Sequence, residues 1–169
     1  CADTRAEAVT AGRYVMPANE LAEIDIAYIA GLFDGEGYIT IRKQHKTDKR
    51  KSGTSYIVVI GVVNKDIHVL SWLKNIYGGY IYEKARYSKK HAPTFEWVLM
   101  QRQVCSKMLA DILPFTKIKI KQVQLAQDFL SLGFIKKSGV WPTFNALPEE
   151  LALRDAYKEK LSLLNKRGQ

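Results

Sequence analysis

Two carboxylates stand two residues apart in Phe33-Asp34-Gly35-Glu36-Gly37, where a helix-forming stretch ends. A helix dipole is negative at its C-terminus, so each anion there costs about 0.3–1 kcal/mol. A bound divalent cation reverses that cost. Hard carboxylate oxygens beside free backbone carbonyls suit magnesium or calcium. Asp-Gly and Glu-Gly are also ordinary turn sequences, so the spacing alone leaves both readings open. Other chemistries lack their residues. His45, His68 and His91 are scattered and offer no zinc spacing. Gly35-Glu-Gly37 has no third glycine and follows a helix rather than a strand, so it is not a dinucleotide loop. Two cysteines, Cys1 and Cys105, make neither a disulfide scaffold nor a zinc cluster and fit a reducing, intracellular setting.

The elements that must hold this pair can be read on either side of it. Residues 21–34 read as a helix with no charge from Ile26 to Phe33. A helix apolar all round is buried on more than one side. Ile26, Ile29 and Phe33 suit the domain's own core, while Ala27, Gly31 and Gly35 recur every four residues and admit a second backbone closely. From Tyr38, Ile39 and Ile41 alternate with Thr40, Arg42 and Gln44, the period of a half-buried strand. A basic loop over 47–54 and a second strand over 55–63 follow. Asp66 is placed to cap a helix through about Tyr77 that Gly78-Gly79 ends. Strands over 80–87 and 94–100 come next, then helices near 103–112, 117–133 and 147–165. The order is α-β-β-α-β-β-α with a helical tail. Such units give an α+β fold, an antiparallel sheet with helices on one face and the other open. The open face would carry Thr40, Arg42, Gln44, Ser55, Tyr82, Lys84 and Arg86.

The chain has 169 residues and a net charge of +9. The excess sits in one place: residues 38–103 hold 13 basic and 4 acidic side chains, a balance of +9, whereas residues 1–37 balance at −5. A concentrated basic surface selects a polyanion partner or simply keeps the face solvated. With 47% hydrophobic residues, one core is within reach, and no apolar run approaches a membrane span. Residues 1–20 have no long apolar stretch. They read as a flexible arm, a processed end or a cloning boundary rather than a secretory leader. Residues 21–169 read as a single domain.

Ile29-Ala30-Gly31-Leu32-Phe33-Asp34-Gly35-Glu36-Gly37 resembles the signature nonapeptide of the LAGLIDADG homing endonucleases. Tyr77-Gly-Gly-Tyr-Ile-Tyr82, Leu113-Pro-Phe-Thr-Lys-Ile-Lys-Ile-Lys-Gln122 and the element order also look like that family. The tyrosine-glycine segment is similar to the GIY-YIG nucleases as well, but its halves are too close to be separate strands, and the histidines make no HNH arrangement.

The resemblance implies a metal-dependent, site-specific double-strand DNA endonuclease, intron-encoded and active as a homodimer. The signature helices would cross at a two-fold axis through Ile24, Ala27, Tyr28, Gly31, Asp34 and Gly35. Glu36 would bind the catalytic metal, where the family often has Asp, and Gly35 would offer its carbonyl. Asp34 would shape the helix end rather than ligate. Mg2+ is the implied metal, with Mn2+ substituting and Ca2+ binding without supporting cleavage. The four-stranded sheet would form a saddle in the major groove of a long pseudo-palindromic site. Cleavage across the minor groove would leave short 3′ overhangs. Lys119, with Lys117 and Lys121 as alternatives, would reach the active-site water network from the helix after Pro114-Phe115. Asn64 and His68 would support that network, although His68 also reads as an exposed helix residue. On the sheet and its loop, Lys46, Lys49, Arg50 and Lys51 suit phosphates. Arg42, Gln44, Lys84 and Arg86 suit base edges, alongside Tyr38, Thr40, Ser55, Tyr80 and Tyr82. Neither an RNA-binding intron maturase of the same fold nor a non-catalytic DNA-binding regulator is separated from this by composition. Intact Glu36 and Lys119 speak for the enzyme. The implied setting is inside the cell, in cytoplasm, nucleoid or organelle, with no membrane partner.

Overall fold

A computed structural model describes residues 21–46, 53–84, 92–139 and 145–166. The expected arm over 1–20, the loop residues Lys49, Arg50 and Lys51, and Arg86 lie outside the described residues, as does the side chain of Lys46. Helix α1 (Glu23–Glu36) runs directly into strand β1 (Gly37–Lys46). Strand β2 (Gly53–Asn64), helix α2 (Ile67–Tyr77) and strands β3 (Tyr80–Glu83) and β4 (Phe95–Leu99) follow. Helices α3 (Arg102–Ile112), α4 (Ile120–Ser131) and α5 (Pro148–Leu164) close the chain, with a two-stranded ribbon, β5 (Lys137–Ser138) and β6 (Asn145–Ala146), before α5. The α+β order read from the sequence is the observed one. The ribbon was not expected, and β2 begins two residues earlier than its apolar run.

The main sheet is antiparallel in the order β1-β2-β4-β3. Its register separates two faces, because directly opposed residues share a side. Ile39 faces Ile60, and Ile60 faces Leu99; Ile41 faces Val58, and Val62 faces Trp97. This inner face is buried against Ile29, Ala30 and Phe33 of α1, Leu70 and Leu73 of α2, Met108 and Ile112 of α3, and Phe129 of α4. Cys105 belongs to this core, and burial pushes its thiol up to about 12, so it packs rather than reacts.

Local chemistry explains the joints. Asp66 caps α2, its carboxylate accepting from the His68 N–H at 2.8 Å. Gly78 (φ 72°) and Gly79 (φ 89°) make the left-handed turn that only glycine adopts cheaply. A Cβ on Gly79 would also stand 2.5 Å from the Val98 carbonyl. Helix α5 is tied across the inner face by Lys43–Asp155 at 2.6 Å and by Asn165 donating to the Ile39 carbonyl at 2.8 Å.

Candidate active site at the end of the first helix

The last turn of α1 separates its two carboxylates by simple geometry. Residues advance about 100° each around a helix, so positions 34 and 36 point to nearly opposite sides. Asp34 is buried at 8% exposure, and Glu36 is exposed. The Asp34 carboxylate accepts three backbone N–H bonds: from Lys117 at 2.6 Å, Ile118 at 3.0 Å and Lys119 at 3.0 Å. The Lys119 ammonium donates to the Asp34 carbonyl. Burial alone would raise the Asp34 pKa; the three N–H donors and the Lys119 charge outweigh it and hold the group below its ordinary 3.8. Asp34 thus fixes the 117–119 corner against the helix. Its carboxylate turns into its own chain.

Lys119 sits at the N-cap of α4, one residue before the helix, rather than on the helix as expected. Its ammonium stands at the C-terminus of α1, where the dipole favours a cation. Lys117 and Lys121 are exposed.

Glu36 is the final residue of α1, and Gly35 beside it carries nothing within 4 Å of where a Cβ would be. Gly37 has no such freedom: a Cβ there would meet the Phe33 ring at 2.2 Å. It holds the chain close while it turns from helix to strand. Gly37 lies opposite Val62, so Asn64, two residues on, extends past the start of β1 on the side where α1 ends. Asn64 Oδ1 accepts from the Asp66 N–H at 2.9 Å, and exposed His68 follows in the first turn of α2. Carboxylate and carbonyl oxygens at the end of α1 fit a hard divalent cation in chemical type. Among the described residues, no three His, Cys, Asp or Glu side chains gather to hold a metal.

The outer side of α1 is bare. Ile24 is 78% and Tyr28 57% exposed, Ala27 is half-buried, and a Cβ on Gly31 would meet nothing within 4 Å. Tyr28 leans edge-on against Trp72 of α2 with ring centres 5.7 Å apart.

On the sheet's open face, the register aligns Thr40 with Val59, Arg42 with Ile57 and Gln44 with Ser55. Arg42, Gln44, Tyr80, Tyr82 and Lys84 are exposed. The Ser55 hydroxyl is buried and has no hydrogen-bond partner among the described residues. Tyr38 is on this face, but its hydroxyl is engaged, donating to Glu96 Oε1 at 2.7 Å. Its ring covers Gly61, where a Cβ would come within 2.4 Å of it. Glu96, 8% exposed in the middle of a basic face, was not singled out from the sequence. The signal was present: Glu96 alternates with Phe95, Trp97 and Leu99, which places it on the open side. Among the described residues, no helix is long and apolar enough to cross a membrane.

A family model described as LAGLIDADG endonuclease matches residues 29–115, just over half of the chain. No curated protein sequence matches. Among solved structures, the homing endonuclease I-CvuI, crystallised with its DNA target and calcium, is 18% identical, with a TM-score of 0.63 over 87% of this chain and 85% of that one. The archaeal intron-encoded homing endonuclease I-Vdi141I, complexed with DNA, is 18% identical, with a TM-score of 0.64 over 87% of each chain. A K262A mutant of I-SmaMI is 24% identical, with a TM-score of 0.51 over 63% of this chain and 36% of that one. At these identities the likeness is one of fold.

Proposed function

The chain belongs to the LAGLIDADG endonuclease family and is a site-specific DNA endonuclease of that family; from this premise we propose that two copies join through α1 and use paired Glu36 side chains to hydrolyse both strands of a duplex. The observation that carries the proposal is the exposed Glu36 at the end of a helix whose outer side is bare and lined by Ala27, Gly31 and Gly35. Glycine and alanine at four-residue spacing let two helices approach closely. That approach brings the two outward carboxylates together.

Glu36, with the Gly35 carbonyl, would hold the divalent ion, and magnesium is the ion the proposal assigns. A bound divalent ion lowers the pKa of water and neutralises charge on phosphate. The chain's own groups do the rest. Lys119 keeps a positive charge at the helix end, where a phosphate's developing charge would gather. Asn64 and His68 stand at the β2–α2 turn, placed to order water beside that end. Arg42, Gln44, Tyr80, Tyr82 and Lys84 form the groove-facing surface. The DNA in the I-CvuI and I-Vdi141I structures supports a duplex as the partner, and the calcium in the former supports divalent binding.

The test selects cut sites from a randomised duplex library with magnesium, beside Glu36→Gln. The proposal expects one long, pseudo-palindromic site, cut by the wild type and bound but uncut by the variant. Metal-independent binding to RNA without any DNA cutting would move the chain to a splicing role instead.

A further inference from the structure

A cavity of about 690 Å³ lies between the first half of β2, the start of α3, the segment after α4, and α5. Ile57, Met100, Phe134 and Ile135 give it apolar walls. Three cations share the lining, Arg102, Lys137 and Arg154, and among the described residues no acid does. Arg154 is 1% exposed and already paired: its guanidinium donates to Glu150 Oε1 at 2.7 Å and to the Gly133 carbonyl at 3.1 Å. Arg102 has no such counter-charge. Its guanidinium donates to the Leu130 carbonyl and lies 5.7 Å from the centre of the Phe134 ring. Among the described residues it makes no ion pair. It also opens α3, whose first turn holds no acid, so it stands against the positive end of the helix dipole. Burial, and then the charge of Arg154, push against its protonated form. Phe134 beside it is 87% exposed.

A partly buried cation without a counter-charge is costly, and an anion entering the cavity would remove that cost. A guanidinium fork matches an oxyanion with two parallel hydrogen bonds. Apolar walls and an exposed ring suit an apolar body, and the volume is that of pockets for small organic ligands. We propose that this cavity binds a small organic anion, an oxyanion head on an apolar body, with Arg102 on the head and the Phe134 ring on the body. Arg154 braces the site and does not bind the head: its charge is paired with Glu150, and it ties α5 to Gly133, the residue before Phe134. The inference stands apart from the DNA reading. It uses no residue at the end of α1 and would hold for a chain that cuts nothing.

The probe is naphthoate, with naphthalenemethanol as its neutral counterpart, each titrated into the full chain labelled at its isoleucine and methionine methyl groups for NMR. Naphthoate should shift the Ile57, Met100 and Ile135 signals along one saturable curve and bind at least about tenfold more tightly than the alcohol. Arg102→Met should erase that preference and leave the alcohol's affinity in place. Phe134→Ala, a change at an exposed ring, should weaken both ligands severalfold; with the wild-type comparison it decides the matter should Arg102→Met fail to fold. Naphthoate that leaves these methyl signals unmoved, or that binds no more tightly than the alcohol, overturns the inference. So does a folded Arg102→Met that keeps the preference, or a Phe134→Ala that binds both ligands as the wild type does.

Discussion

The two sides of α1 meet opposite fates at the same helix end. On the inner side, Ile29, Ala30 and Phe33 are packed and Asp34 is held by three backbone N–H groups. On the outer side, Gly31, Gly35 and Glu36 face open space. Two acids separated by one glycine therefore do different work. Asp34 holds the 117–119 corner against the helix end; Glu36, two residues further on, is exposed. The difference teaches that burial and partners, rather than residue type, separate the acid that holds the fold from the one the proposal makes a metal ligand.

The largest effect should come from the outer acid. Glu36→Gln should slow cleavage by on the order of 1000-fold, about 4 kcal/mol in activation free energy, while DNA affinity stays within a few-fold. Single-turnover cleavage beside a gel shift measures both, and a native cutting rate would erase the distinction between the two carboxylates. The inner acid should show the converse. Asp34→Ala leaves three N–H groups without their acceptor and should destabilise the fold by about 3 kcal/mol in urea or thermal unfolding. A variant as stable as the wild type would mean that the 117–119 corner does not depend on this residue.

Gly31→Leu tests the bare side. Within one chain a Cβ at this position meets nothing within 4 Å, so far-UV circular dichroism should be unchanged. At a close helix crossing it overpacks, and the dimer should weaken at least about tenfold, or roughly 1.4 kcal/mol, in sedimentation. An equally tight dimer would place the contact elsewhere.

The smallest effect is acid sensitivity. The Asp34 pKa is held below its ordinary 3.8, so its contribution is complete above that unfolded value and fades as pH falls through the lower folded one. Unfolding curves below about pH 4 should lose stability faster in the wild type than in Asp34→Ala. Parallel curves would show that Asp34 carries no such linkage.

Much of this arrangement was legible in the sequence, because its causes are local. Alternation drew β1, an unbroken apolar run drew α1, and Asp66 and Gly78-Gly79 marked the two ends of α2. The small-residue spacing at Ala27, Gly31 and Gly35 was visible before any coordinates. What escaped depends on chain brought from far away. The donors to Asp34 lie 83 residues on, at a corner whose approach no spacing announces. Lys43, on the strand that begins at Tyr38, turns to the inner face and meets Asp155 across 112 residues. Glu96 carried the right parity for the open face, but its partner, the Tyr38 hydroxyl, lies 58 residues away.

The central claim is that the outward carboxylates of two chains share a divalent ion at the crossing of their first helices. Crystals of the protein with its selected duplex, soaked in manganese, test it through anomalous difference density. The account predicts a peak beside Glu36 at the two-fold axis, absent in Glu36→Gln. Density elsewhere, or Glu36 side chains pointing away from the axis with no peak between them, would contradict it.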